Sequence, residues 1–406
     1  MKVLVINCGS SSIKYKLYDM DNEHELCNGL LERIGFEDAI ANYTKTGCDK
    51  EKQITPIKDY ETGIQIILDT ITHPEKGVIK NVNEINAVGH RVVHGAETFS
   101  GSQLLTQEVI DKMKECIPLA PLHNPPNLGG IAAFQKLLPN VPQCGVFDTA
   151  FHQTMPEEAY IYAIPYELYE KHRIRRYGFH GTSHYFVANE AATFLKKPIE
   201  SLKIVTCHLG NGCSVCAVDR GKSVDTSMGM TPLEGLVMGT RCGDIDPALI
   251  KFIMEKENLD IDGVDKLLNK KSGLHGICGS HDSRDVDEGM IAGKRKETLA
   301  FNIMARRITK YIGAYAAIMG GIDALVFTAG IGENSEHTRG KVCETLSFLG
   351  IELDYEKNII RSKDARDISS SKAKIPVLVI PTNEELVIAR DTKKIVKQAA
   401  PASNQH

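Results

Sequence analysis

The chain opens on four apolar residues in a row, Val3-Leu4-Val5-Ile6, a pattern that predicts a strand buried on both faces. Asn7-Cys8-Gly9-Ser10-Ser11-Ser12 follows. Beyond it Ile13, Tyr15 and Leu17 alternate with Lys14 and Lys16, the period of two of a half-exposed strand. Together they predict a hairpin whose tip is dense in donors. Such a tip is either a solvated Gly/Ser turn or a loop whose backbone N–H groups and hydroxyls ring an anion. The same pattern returns at residues 203–219, aligned with residues 2–18 at a constant offset of 201 so that Gly210 falls on Gly9. An offset near half of the 406-residue chain predicts a duplicated α/β domain, each half opening on a hairpin whose tip faces the other across a cleft.

Several further stretches continue the pattern. Residues 60–71 are amphipathic at helical spacing, and residues 85–95 form a strand that carries Arg91 near its end. A buried strand rarely holds an unpaired Arg, so Arg91 either meets a carboxylate of the protein or awaits an anion. Residues 118–130, rich in Pro, Asn and Gly, predict a rigid loop leading into a helix over 131–138. Asp148 directly follows a short apolar strand, the position where open α/β sheets place ligands, although a capping role explains it as well. Residues 323–335 read as a buried strand running into the turn Gly330-Ile331-Gly332. Neither G-x-G-x-x-G nor a Walker loop occurs, so nucleotide binding would need a different cradle.

Some charged residues have structural explanations. Thr231-Pro232-x-Glu234 and Thr382-x-x-Glu385 have capping-box spacing, and Asp246-Pro247 opens a helix over 248–257, which leaves Arg241 and Glu384 unexplained. Residues 280–285, Ser-His-Asp-Ser-Arg-Asp, are too polar for a core and too charged for a plain turn. His180 and His184 stand four apart, but no acidic residue lies between them and Gly181 disfavours a helix, against zinc.

Composition narrows the class. Forty-eight basic and 52 acidic residues spread along the chain give a net charge of −4, which points to neither nucleic acid nor a membrane surface as partner. The apolar run over 314–331 is broken by Gly320-Gly321 and Asp323, so it predicts helix, turn and strand and no membrane span. Eleven scattered cysteines, with only four apolar residues after Met1-Lys2 in place of an export signal, fit a reducing cytoplasm. Cys213-x-x-Cys216 lies in a strand-like run, which argues against redox or metal use.

Taken in order, Asn7-Cys8-Gly9-Ser10-Ser11-Ser12, Gly89-His90-Arg91-Val92-Val93-His94-Gly95, Val146-Phe147-Asp148-Thr149-Ala150-Phe151-His152 and Gly178-Phe179-His180-Gly181-Thr182-Ser183-His184 resemble the acetate kinase family. So do His208-Leu209-Gly210-Asn211-Gly212, Gly239-Thr240-Arg241-Cys242-Gly243-Asp244, Gly330-Ile331-Gly332-Glu333-Asn334 and Pro381-Thr382-Asn383-Glu384-Glu385, so the likeness runs to about residue 392. It implies a duplicated actin-like ATPase (ribonuclease H-like) fold with two domains around a nucleotide cleft. Residues 1–150, with a helix over 384–398 packing back on them, would form one domain, and residues 151–383 the nucleotide-binding one. The implied reaction is ATP plus acetate giving ADP plus acetyl phosphate, with Mg²⁺ or in its place Mn²⁺, in a cytoplasmic homodimer.

By this resemblance Asn7 and Glu384 would hold the metal, and Ser10, Ser12 and Lys14 would face the transferred phosphate. Arg91, Asp148, His180 and Arg241 would be catalytic, and Arg91, Val93, Leu122 and Pro232 would line the acetate site. His208, Leu209, Gly210, Asn211 and Gly212 would touch the β- and γ-phosphates. Asp282, Ser283 and Arg284, with Gly330, Ile331, Gly332, Glu333 and Asn334, would hold the adenosine end. This chain departs from the family's usual pattern at Ala96, Cys242 and Ser283, where Gly, Ser and an aromatic or Met are common. Propionate kinase is the near alternative, and an ATP-driven conformational protein of the chaperone or filament kind the distant one.

Overall fold

A computed structural model describes residues 1–121 and 123–399. They fall into two compact units, Met1–Ala150 with the segment that begins at Asn383, and Phe151–Thr382. The first unit carries strands β1 (Lys2–Gly9), β2 (Ser12–Asp19), β3 (His24–Glu32), β4 (Ile40–Lys45), β5 (Glu51–Ile54), β6 (Ile85–Val92), β7 (Gln103–Leu104) and β8 (Gln143–Phe147). They form one sheet in the order β5-β4-β3-β2-β1-β6-β8-β7. β1 is antiparallel to β2 and parallel to β6, which is parallel to β8.

The period of two decides which residues meet which layer. Leu4, Ile6, Cys8, Ile13, Tyr15 and Leu17 point to one face, where helices Tyr60–Ile71 and Asn124–Leu137 supply Ile64, Ile67, Leu68 and Phe134. Val3, Val5, Tyr18, Ala87 and Val146 point to the other, against Ile388 and Ala389 of helix Glu384–Ala399. That helix sits so close that a Cβ on Gly89 would lie 2.4 Å from the Thr392 hydroxyl and 2.7 Å from Ile388 Cγ2. Gly89→Ala must push the helix off the sheet, and a loss of about 2–3 kcal/mol is expected in chemical denaturation.

Two local expectations change here. Helix Asn124–Leu137 begins seven residues before the expected 131, because Pro125 and Pro126 occupy its first turn, where their missing N–H groups cost nothing. The last helix is capped by the side chain of Asn383, which accepts from Leu386 N at 3.1 Å, and not by Thr382. Glu385 therefore loses its expected capping role.

The second unit repeats the plan with β9 (Lys203–Leu209), β10 (Cys213–Asp219), β11 (Lys222–Thr226), β12 (Ala324–Thr328), β13 (Arg366–Asp367) and β14 (Val377–Val379), in the order β11-β10-β9-β12-β14-β13. In both sheets an antiparallel meander, of five strands in the first (β1–β5) and three in the second (β9–β11), is extended by two parallel strands, β6 and β8 in one, β12 and β14 in the other. This is the duplicated actin-like, ribonuclease H-like arrangement. The offset of 201 holds along the first strand of each hairpin, but Lys2 pairs with Asp19 whereas Lys203 pairs with Asp219. Counted from these partners, the second hairpin as a whole is one residue shorter than the first.

Residues 314–331 resolve into the end of helix Arg295–Ile318, a turn with Gly320 and Gly321 at φ +66° and +116°, and β12. The expected Gly330-Ile331-Gly332 turn is instead the short helix Ala329–Asn334. Thr231 and Glu234 cap no helix; residues 229–244 form an irregular loop. Among the described residues no helix is long and apolar enough to cross a membrane. All eleven cysteines are thiols, without a disulfide.

Candidate active site

In the first unit Arg91, at the end of β6, shares the sheet face of Gly89 and meets a carboxylate, one of the two outcomes open from sequence. Its Nε lies 3.1 Å from both oxygens of Asp148, and its Nη2 donates to Asp148 Oδ2 at 2.6 Å. Asp148 stands just past β8, is 1 % exposed, and its backbone N–H donates to Val92 O at 2.9 Å. This is the bidentate geometry that fixes a guanidinium in one plane. Nη1 carries no bond among the described residues and is the donor left to an anion. Burial opposes the Arg91 charge, yet Asp148 and Glu384 more than restore it.

Glu384, the first residue of the last helix, places Oε2 3.9 Å from Arg91 Nε. Burial pushes its carboxyl up to about 7, with Arg91 pulling down and Asp148 and Glu385 adding to the rise. Asn7 lies opposite Lys14 in the β1–β2 ladder, on the face of the last helix. Lys14 itself is ion-paired with Glu385, which also lies 3.8 Å from Lys16. The charge expected to face a phosphate is therefore engaged by the protein. Ser10 is exposed at the tip and Ser12 half-buried beside it. Val93 is fixed by Asn127, whose amide also donates to Cys8 O at 2.9 Å. Leu122 lies outside the described residues. Ala96, where Gly is common, adopts φ +50°, a left-handed conformation that Gly takes without strain.

In the second unit His180 precedes helix Gly181–Phe194 with φ +56°. Its ring stacks on His208 at 4.1 Å between centroids, and its Nδ1 meets Ser214 Oγ at 2.8 Å. His208 Nδ1 meets Ser183 Oγ, which also meets Thr382 Oγ1, both at 2.8 Å. The His184 ring is buried between Thr206 and Ser214 and serves this hydrogen-bonded network. Arg241 donates to Pro232 O at 3.3 Å and, among the described residues, pairs with no carboxylate. Burial lowers the affinity of its guanidinium for the proton. Gly212 lies against the side chains of both Arg241 and His180: a Cβ there would be 3.4 Å from Arg241 Nη1 and 3.6 Å from His180 Nε2. A glycine tip, two nitrogen bases and an arginine with spare donors converge, which suits a polyanion.

Beside the same tip opens a cavity of about 880 Å³ lined by Gly210, Asn211, Gly239, Asp282, Ser283, Arg284, Gly330, Ile331 and Asn334 among others. It joins three expected segments that stand more than a hundred residues apart at the extremes. Asp282 caps helix Ser283–Ile291 and holds Arg284 at 2.6 Å. Glu333 is a correction: its carboxylate turns inward to accept from Ala329 N at 2.8 Å and Thr382 N at 3.2 Å, and it does not line the cavity. Neither does Gly332, which packs behind Phe327, nor the fully buried side chain of Leu209. His281, Asp287, Ser335, Glu336, His337 and Arg361 also line the cavity and were missed: Ser335, Glu336 and His337 open a helix, Asp287 lies within one and Arg361 in irregular chain, and none carries a motif of its own.

The sequence model of the acetokinase family matches residues 2–390. The chain belongs to the acetokinase family. It is 58% identical to the acetate kinase of Halothermothrix orenii over 98% of this chain and 100% of that one. The crystal structure of Porphyromonas gingivalis acetate kinase is 48% identical, with a TM-score of 0.94 over 97% of this chain and 99% of that one. A propionate kinase structure from Francisella tularensis is 42% identical, with a TM-score of 0.91 over the same shares of the two chains.

The histidines of the two units carry a stability prediction. Burial pushes His90, beside Gln143, and His152, beside Phe179 O, down to about 4, and holds His184 well below its ordinary value. The unfolded chain takes up protons near pH 6.5 that the folded one refuses, so stability is full above that pH and falls as pH drops toward 4. Each ring withdraws up to about 1.4 kcal/mol per pH unit in that window, a decline that thermal melts between neutral and acid pH would record.

Proposed function

We propose that the protein catalyses reversible transfer of the γ-phosphoryl group of ATP to acetate, giving ADP and acetyl phosphate. What supports this above all is one observation: on a chain 58% identical to an acetate kinase, Arg241 is an arginine matched by no carboxylate among the described residues. A carboxylate and a triphosphate repel, so in-line transfer needs cations around both reactants, and position supplies most of the rest.

An acetate oxygen attacks the γ-phosphorus as the bond to the β-bridging oxygen breaks. Acetate is already ionised at pH 7, so no base has to remove a proton. Arg91 binds the acceptor carboxylate or the phosphoryl group through Nη1, and Asp148 sets the plane of that guanidinium. His180 and Arg241 stabilise charge on the transferring group, and Gly210 to Gly212 admit the phosphates to backbone N–H groups. The cavity takes the nucleoside. Leu274, Ile291 and Ile331 there offer the apolar contact that Ser283 lacks.

Mg²⁺ fits the residues present: Glu384, its charge disfavoured by burial beside two acids, and Asn7 supply hard oxygen donors. No cluster of three or more His, Cys, Asp or Glu suited to a metal occurs among the described residues, so phosphate and water would complete the shell. When bound, the ion supplies positive charge to the phosphates; Mn²⁺ could take its place. The same family reading carries a cytoplasmic homodimer. Side-by-side turnover on acetate, propionate and butyrate tests the acceptor. Acetate is expected to give the highest kcat/KM, by about 10-fold or more per methylene, and a preference for propionate would replace acetate as the substrate.

A further inference from the structure

Arg241 and Pro232 lie in the irregular loop 229–244, which has neither helix nor strand to fix its shape. A guanidinium that must meet a transferring phosphoryl group to within a few tenths of an ångström needs another source of rigidity. The structure supplies one at the loop's first turn. Arg176 gathers the chain below it, its Nη1 donating to the carbonyls of Thr226, Ser227 and Met228 at 2.9, 3.3 and 3.1 Å. Its Nη2 donates to Glu234 Oε1 at 2.6 Å. Tyr162 closes the other side, its hydroxyl donating to Glu234 Oε2 at 2.5 Å and accepting from Met230 N at 2.9 Å.

The clamp also reaches the segment that carries His180. Gly229 O accepts from both Tyr177 N and Gly178 N at 3.1 Å, three and two residues before that histidine. Gly229 has to be glycine, since a Cβ there would stand 1.9 Å from Glu234 Oε2 and 2.3 Å from the Tyr162 hydroxyl. Glu234 therefore ties the strand exit at Thr226, the approach to His180 and the turn that presents Pro232 into one piece. Pro232 O is in turn the acceptor for Arg241 Nη1.

We infer that Glu234, held between Arg176 and Tyr162, is a positioning residue that sets Arg241 and His180 in register around Gly212. This rests on the catalytic role proposed for Arg241. The hydroxyl of Tyr162 touches no reactant in this scheme, so its effect must pass through the loop.

The test is a double-mutant cycle with Tyr162→Phe and Arg241→Ala, read as kcat at saturating substrates, KM for nucleotide and the thermal midpoint. Tyr162→Phe is expected to lower kcat about 10-fold with nucleotide KM within about twofold and the midpoint nearly unmoved. In the Arg241→Ala background the same change should cost clearly less, about threefold, the remainder passing through His180. Should Tyr162→Phe fail to fold, Glu234→Gln replaces it in the cycle with the same expected dependence. Wild-type kcat in the single variant, or equal fold losses in both backgrounds, overturns the positioning role. Wild-type kcat in Arg241→Ala alone defeats instead the catalytic assignment beneath it.

Discussion

Arg91→Ala is expected to lower turnover on acetate by about 30- to 1000-fold, the roughly 2–4 kcal/mol attached to a donor aimed at developing charge. The same change strands Asp148, which is 1 % exposed and, among the described residues, is ion-paired with Arg91 alone, in bidentate contact. An unpaired buried carboxylate costs about 3–5 kcal/mol of stability, so the variant should also melt early. The two losses are separable. In Arg91→Ala/Asp148→Ala the Asp148 charge is no longer stranded, so much of the stability should return while turnover stays low. A double variant with restored turnover would show that Arg91 serves only to neutralise Asp148.

Arg241→Ala should behave in the opposite way. Its guanidinium donates to the Pro232 carbonyl and faces no acid among the described residues, and burial already disfavours its charge. Removing it strands no charge and frees only the Pro232 carbonyl. A fall in kcat of about 30- to 1000-fold is expected with a thermal midpoint close to that of the parent chain. The contrast between the two arginines, one costly to both fold and turnover and one to turnover alone, follows from their partners. Steady-state kinetics and melts on the same preparations check it.

Much of this was legible along the chain. Runs such as Val3-Leu4-Val5-Ile6 and the alternation after Ser12 announce strands, because burial on one or both faces imposes the period. The repeat at residue 203 predicts the second sheet, and the topology common to both sheets bears the duplication out. Pairing at long range was less legible. Arg91 meets an acid 57 residues on, and no local pattern distinguishes that from an empty anion site.

Spacing also misled where another force prevailed. Thr231-Pro232-x-Glu234 matches a capping box, yet Gly235 at φ +104° leaves the helical region at once, and Glu234 goes to Arg176 and Tyr162. Glu385 matches one too, but Asn383 takes the cap and Glu385 takes Lys14. Glu333 looked like part of a nucleotide loop and is the internal acceptor that holds the loop's first residue, Ala329, at φ +64°. In each case a carboxylate chose a cation or N–H group that the sequence pattern could not place.

The most direct measurement traps the product. Protein incubated with ATP, Mg²⁺ and acetate, then treated with hydroxylamine, should yield acetyl hydroxamate in proportion to the ADP released, and Arg241→Ala should yield little of either. ADP released at the same rate without acetate, and no hydroxamate with it, would contradict direct phosphoryl transfer to a carboxylate.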